Sequence, residues 1–140
     1  MAAYNKFNAF VEAVAEKVHN LGSDALMVAL CAAANAPVAG NSVLADLTQI
    51  SYTNCSSRAV TTSSSAQTSG TYKLVLADLV LTASGGSVGP FRYVVLYNDT
   101  PTSPADPLLG WYDYGSEITL ASGETLTIDF DGTNGVLTLA

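Results

Sequence analysis

The chain has 140 residues, of which 49% are hydrophobic, and its formal net charge is −7; this length and composition predict one domain over residues 1–140 with a single core. Charged residues make up 12%, well below the roughly 25% usual for soluble domains, so neutral polar residues must form much of the surface. Five basic residues against twelve acidic ones, scattered along the chain, argue against a nucleic-acid partner, which needs clustered Lys and Arg.

The N-terminal sequence, MAAYNKFNAF, contains neither a basic leader followed by an apolar block nor a cleavage site. We therefore expect no signal peptide and a chain that is made in the cytoplasm of its host cell. No run of residues reaches the ~18 uninterrupted apolar positions of a membrane span. The sequence thus predicts no membrane partner.

The first predicted element is an amphipathic helix over about residues 4–20. Its apolar residues recur at steps of three and four, at Tyr4, Phe7, Phe10, Val11, Val14 and Val18. Lys17 and His19 fall in the last turn, where positive charge suits the helix dipole, and Gly22 offers the left-handed residue that ends a helix. We expect the apolar face to pack on the rest of the protein or on a neighbouring subunit.

From about residue 25 to the C-terminus, short apolar runs alternate with polar residues and are separated by Gly, Pro and Asn, which predicts β-strands. Residues 59–69 fit an exposed edge strand or a mobile loop, and residues 71–83 fit one bulged strand or two short ones. The other predicted strands are residues 25–31, 91–97, 108–114, 117–120, 124–130 and 136–139. We predict a mainly β fold with one N-terminal helix, in which residues 25–140 form an antiparallel β-sandwich or a jelly-roll-like body.

Few residues of the sequence are candidates for catalysis or metal binding. His19 is the only candidate for a general base at neutral pH, but no nucleophile is patterned near it, and we interpret it as a helix C-cap. Cys31 and Cys55 match no metal spacing and should stay reduced in the cytoplasm. The run Asp129–Gly135 lacks the bidentate Glu of a calcium loop, so we interpret it as a hairpin turn. The sequence predicts no enzyme activity, no cofactor and no metal site.

Aromatic residues gather after residue 90, at Tyr93, Tyr97, Trp111, Tyr112 and Tyr114. Such residues most often belong to a core or a subunit interface, and a carbohydrate-binding platform is the alternative. The Pro-rich loop Asn98–Pro107 and the segment before Phe7 combine exposure with apolar side chains. We therefore predict a contact surface that comprises Tyr4, Phe7, Pro101, Pro104, Pro107, Trp111 and Tyr112.

Three stretches of the chain resemble a family of small proteins encoded among the virion genes of tailed bacteriophages. They are YNKFNAFVEAVAEKVHNLGSDAL, SSAQTSGTYKLVLADLVLTASGGSVGPFRYVVLYNDTPTSPADPLLGWYDYG and ETLTIDFDGTNGVLTLA, so the similarity covers nearly the whole chain. The resemblance implies a structural component of the virion, and it carries over no catalytic residue.

Within that family, a small acidic β-rich protein looks like a capsid decoration, or cement, protein. The resemblance then implies binding to the major capsid protein, or to other virion proteins, on the outside of the head lattice as dimers or trimers. Low charge and the absence of catalytic groupings agree with an assembly subunit, whose interactions depend on buried area and shape. A tail-tube or head–tail connector subunit and a carbohydrate-binding module on the virion are the alternatives.

Overall fold

The computed structural model describes residues 2–140, which form ten β-strands and one α-helix. In chain order these are β1 (Ala3–Lys6), α1 (Asn8–Ala15), β2 (Leu26–Cys31), β3 (Ala59–Val60), β4 (Thr62–Thr68), β5 (Thr71–Leu76), β6 (Leu79–Thr82), β7 (Val88–Asn98), β8 (Leu108–Leu120), β9 (Thr125–Ile128) and β10 (Leu137–Leu139). Short 3-10 turns at Ala33–Asn35 and Leu44–Asp46 lie in the long segment between β2 and β3. No helix within residues 2–140 has the length and apolarity needed to cross a membrane.

The strands pair antiparallel in three sheets. The largest has five strands in the order β1-β8-β7-β2-β3, the second has the order β10-β5-β4, and the third pairs β6 with β9. Hairpins connect β4 to β5 and β7 to β8, whereas β1 reaches β8 from the other end of the sequence. The predicted class, mainly β with antiparallel sheets and one helix near the N-terminus, is confirmed.

The main core lies between one face of the five-stranded sheet and the two smaller sheets. Leu30 of β2 and Leu96 of β7 belong to the same buried cluster as Leu74 of β5, Leu81 of β6 and Ile128 of β9. None of these side chains is more than 1% exposed. Two layers of sheet around a shared apolar core are the arrangement of a β-sandwich.

A second, smaller cluster covers the opposite face of the five-stranded sheet. Cys31 of β2 and Val95 of β7 lie in it, and Leu44 and Leu47 from the segment between β2 and β3 pack against it. Because both faces are covered, the last six residues of β7 are all buried, as expected for a strand enclosed on both sides. The segment between β2 and β3 therefore serves as part of the wall around the second cluster.

The predicted helix over residues 4–20 is wrong in its bounds. Residues 3–6 form β1 because they complete the edge of β8, and the helix covers only Asn8–Ala15. Lys17, with a φ of 66°, is the left-handed residue that follows the helix, five positions before Gly22. Phe7 and Phe10 do not share one helix face: Phe7 enters the second cluster and Phe10 enters the main core. The N-terminal segment therefore straddles the edge of the five-stranded sheet.

The structure also decides between the alternatives for the strands. Residues 59–69 contain the short strand β3 and the edge strand β4, and residues 71–83 contain two strands, β5 and β6. The two strands predicted for residues 108–114 and 117–120 are one continuous strand, β8. Gly115 accommodates this continuity with a φ of 82°, a conformation that a residue with a Cβ rarely adopts.

Candidate functional site

Four of the predicted contact residues meet where β1 pairs with β8. Tyr4 lies opposite Tyr112 in the register, and the centroids of the two rings are 5.0 Å apart. On the other face of the sheet, the centroid of the Phe7 ring lies 4.5 Å from that of Trp111. These distances are typical of favourable aromatic pairs. The aromatic residues therefore form two tilted ring pairs, with interplanar angles of 54° and 43°, on opposite faces of one sheet edge.

Burial divides the seven predicted contact residues into two groups. Phe7, Pro107 and Tyr112 are buried inside the chain, so the fold already uses their apolar surface and a partner cannot reach it. The prediction of these three as contact residues is corrected accordingly. The contact role stays a prediction for the partly or fully exposed members, which are Tyr4, Pro101, Pro104 and Trp111.

The pair of Tyr4 and Tyr112 is a neutral packing unit. Burial, with a smaller contribution from Tyr112, raises the pKa of the Tyr4 phenol, and burial, followed by nearby Tyr114, raises the pKa of Tyr112 to about 12. Gly110 provides the space for this arrangement, since a Cβ there would overlap the Tyr4 ring and lie 2.6 Å from the carbonyl oxygen of Asn5. Neither phenol ionises near neutral pH, so this pair contributes packing and no acid–base chemistry.

The Pro-rich loop between β7 and β8 is an ordered part of the fold. On one side, the amide of Asp99 donates to the carbonyl oxygen of Ala25 at 2.8 Å, and on the other, the amide of Leu44 donates to the carbonyl oxygen of Asp106 at 2.9 Å. Its tip, residues 102–105, is exposed throughout and has the uncharged sequence Thr-Ser-Pro-Ala. The loop thus presents a neutral tip on a base that is hydrogen-bonded to two different parts of the chain.

An open groove of about 630 Å³ lies between the segment that follows α1, the Pro-rich loop and the three-stranded sheet. Val14 and Leu139 contribute apolar walls, whereas Lys17 and Ser65 contribute polar groups. A smaller, more apolar pocket of about 220 Å³ lies beside it between α1 and β10. No local sequence pattern indicates this groove.

A polar cluster of His19, Asp24 and Asn98 lies at the wall of this groove. His19 and Asn98 are buried, and Asp24 is partly exposed. The side-chain nitrogen of Asn98 donates to Oδ2 of Asp24 at 2.6 Å and lies 3.1 Å from Nδ1 of His19. Its oxygen accepts the amide of Thr100 at 3.1 Å, which assigns the orientation of the Asn98 amide. Because Nδ1 of His19 therefore accepts a hydrogen bond, the imidazole is neutral and carries its proton on Nε2.

The interpretation of His19 as a helix C-cap is wrong. The helix ends at Ala15, and the chain then turns the His19 ring inward to within 5.2 Å of the Phe10 ring centroid. Its Nε2 atom is buried without a hydrogen-bond partner among the described residues. Burial lowers the pKa of His19, and the Asp24 carboxylate opposes this shift in part.

The acidic run Asp129–Gly135 forms a turn, but its prediction as a hairpin turn is wrong, because β9 pairs with β6 and β10 pairs with β5, so the two flanking strands do not pair with each other. Oδ1 of Asp131 accepts the amides of Thr133 and Asn134 at 3.2 and 2.9 Å. These hydrogen bonds, that of Asn134 first, lower the pKa of the Asp131 carboxyl. Within residues 2–140, no three His, Cys, Asp or Glu side chains lie close enough together to hold a metal ion.

The described residues thus offer packing surfaces, an ordered loop and a groove. Comparison of the chain with protein-family models, with curated proteins and with solved structures finds no significant match. The function must therefore be argued from the sequence and the geometry of this chain.

Proposed function

We propose that this chain is a non-enzymatic structural subunit of a tailed-phage virion, and specifically a capsid decoration protein that binds the major capsid protein on the outside of the head. The family resemblance of the sequence supports the virion assignment. The observation that carries the proposal is the Pro-rich loop, with an exposed, uncharged tip at residues 102–105 on a hydrogen-bonded base.

An ordered loop of this kind suits attachment to a protein lattice. Because its base is already held by hydrogen bonds to Ala25 and Leu44, binding would order few additional residues, and the entropic cost of association is lower for a preorganised contact. The net charge of −7 suits a position outside the shell, away from packaged DNA. Attachment would then depend on buried neutral surface, as is usual at the centre of an interface.

The aromatic pairs argue against the alternative of a carbohydrate-binding module. A sugar ring stacks on the open face of an aromatic side chain, but Tyr112 is buried and Trp111 packs against Phe7 at a centroid distance of 4.5 Å. Tyr112 is therefore closed to a sugar ring, and so is the part of the Trp111 ring that packs on Phe7. The alternative of a tail-tube or connector subunit is separated from a decoration protein by experiment.

The proposal is tested by mixing the purified chain with phage heads that lack it and sedimenting the heads. The loop variant is Ala105→Glu, at the exposed tip, and its matched control is Ala121→Glu, at the exposed turn after β8. β8 pairs with β7 from Leu108, opposite Tyr97, to Leu120, opposite Val88. These two β7 residues are nine positions apart, so the two sites flank ends of β8 that are separated by at most about 30 Å at about 3.3 Å per residue. We expect the wild type and Ala121→Glu to bind and Ala105→Glu to lose binding.

Salt concentration separates an area-driven contact from a charge-driven one. Raising the salt to about 1 M shortens the screening length to about 3 Å, so an attachment that depends on neutral buried surface should persist. Release of the wild-type chain at this salt would contradict the proposed contact. Failure of the wild type to bind intact heads at all would favour the tail or connector alternative.

A further inference from the structure

The outer edge of β4 is open and lacks the protection that edge strands usually carry. β4 is the last strand of the order β10-β5-β4, and its seven residues, TSSSAQT, include no charge and no Pro. Natural edge strands are commonly protected by Lys, Pro or a bulge against pairing with another chain. The only irregularity here lies between Thr62 and Ser64, so residues 64–68 form a regular edge in the described structure.

The turn between β4 and β5 shows which backbone groups point outward. Ser69 and Gly70 have φ values of 50° and 84°, as in a type I′ turn, in which the flanking residues Thr68 and Thr71 are hydrogen-bonded to each other. Hydrogen-bonded and non-hydrogen-bonded pairs alternate along antiparallel strands. The N–H and C=O groups of Gln67 and Ser65 therefore point away from β5, toward the open edge.

The hydrogen bonding between β5 and the segment that includes β10 independently supports the same alternation of hydrogen-bonded and non-hydrogen-bonded pairs. Leu74 pairs with Ser65 across the hairpin, and its carbonyl oxygen accepts the amide of Val136 at 2.9 Å from the β10 side. Because the backbone groups of Leu74 face β10, the pair of Leu74 and Ser65 is not hydrogen-bonded. Two observations thus agree that the Ser65 backbone groups face the open edge.

We infer that two copies of the chain associate through β4, in an antiparallel pairing with a two-fold axis at Ala66. Ser65 of each copy then lies opposite Gln67 of the other, and these two pairs supply four backbone hydrogen bonds that satisfy all the outward groups just identified. The result is a continuous six-stranded sheet. This inference rests on the proposed function as an assembly subunit and names the surface through which the subunit self-associates.

Charge and size favour a second copy as the occupant of this edge. Each copy carries a net charge of −7, yet the chain has no charged residue between Arg58 and Lys73, so β4 is a place where two copies can approach with little repulsion. At the axis, Ala66 would face its own equivalent in a non-hydrogen-bonded pair, where Cα atoms lie about 4.5 Å apart. The small Ala side chain fits this close approach.

The test compares Ala66→Asp with Thr138→Asp. Both residues are exposed and flank Lys73 on the same face of the three-stranded sheet, Ala66 on β4 and Thr138 on β10. The two substitutions change the net charge equally, but only Ala66→Asp places two like charges opposite each other across the axis. By sedimentation equilibrium at up to about 1 mM protein, we expect dimers for the wild type and Thr138→Asp, and an affinity at least about tenfold weaker for Ala66→Asp.

Two further measurements test the register in which the β4 strands of the two copies pair. An equimolar mixture of Ala66→Asp and Ala66→Lys should recover dimers, because the charges across the axis then attract. In a Cys55→Ser background, Ala66→Cys should form an intermolecular disulfide on mild oxidation, whereas Ser64→Cys, on the same face but away from the axis, should not.

A wild-type chain that is monomeric at about 1 mM would overturn the inference, and so would equal weakening by Ala66→Asp and Thr138→Asp. Efficient cross-linking through Ser64→Cys with none through Ala66→Cys would overturn the stated register. Binding of the same variants to phage heads is measured separately. A chain that decorates heads without dimerising would refute this inference and leave the proposed function standing.

Discussion

Truncation of Phe7 to Ala should strongly destabilise the protein. Phe7 is 0% exposed, packs on Trp111, and lies in the second cluster with Ala29 and Val95. Removal of a buried Phe ring costs about 3–5 kcal/mol in lost burial and a residual cavity. Since domains unfold with free energies of about 5–15 kcal/mol, this is a large share, and it corresponds to a melting temperature lower by about 10–20 °C for a chain of this size.

Urea unfolding measures this effect, with the single Trp111 as an intrinsic fluorescent probe next to the substitution and far-UV circular dichroism as an independent probe. Val11→Ala is the matched control, because Val11 lies on α1 and is 55% exposed, so its truncation should cost less than about 0.5 kcal/mol. A double-mutant cycle with Trp111→Ala should show a coupling of about 0.5–1.5 kcal/mol. Equal midpoints for Phe7→Ala and Val11→Ala, at the same protein concentration, would refute the assignment of Phe7 to the core.

Two other predictions concern His19 and Gly110. Burial lowers the pKa of His19 below the value of about 6.5 of an exposed histidine. As the pH falls, the unfolded chain therefore binds a proton before the folded chain does. The stabilising contribution is present above about pH 6.5 and is lost as the pH falls through and below that value. His19→Gln should flatten the dependence of the unfolding free energy on pH between about 6.5 and 5, and an unchanged slope would contradict this. Gly110→Ala should lower the unfolding free energy by about 1–3 kcal/mol through its contact with Tyr4. The added cost of Gly110→Ala should shrink in a Tyr4→Ala background, and strict additivity would count against the contact.

The fold class was predictable because most strands of this chain carry their own local pattern. Residues 91–97 and 136–139 alternate or run apolar between Gly, Pro and Asn, and the structure places strands over both regions. The N-terminus was predicted wrongly because Tyr4 and Phe7 continue the three- and four-residue spacing of the true helix. What makes residues 3–6 a strand is the open edge of β8, a partner more than a hundred positions away in sequence.

The site was less predictable than the fold because exposure depends on register. The sequence pointed to Tyr4, Phe7, Trp111 and Tyr112 as a group, and these residues do meet, but only the pairing of β1 with β8 decides which rings face a core. The polar cluster had no local pattern at all, since His19 and Asn98 are 79 residues apart. The groove likewise arises from segments that no sequence window contains together.

During synthesis of the chain, β1 cannot take its place in the sheet until β8 has been made, because β8 is the strand with which it pairs. Tyr4 is made before its partner Tyr112, which follows more than a hundred positions later. Polypeptide synthesis proceeds at about 5–20 residues per second, so β8 becomes available to β1 roughly 5–20 s after β1 is made. Throughout that interval Phe7 and Phe10 have no core to enter, so a growing chain exposes them to chaperones and to neighbouring nascent chains. The edge position of β1 thus leaves this segment exposed for longer than strands that pair with near neighbours in sequence, such as β4 and β5.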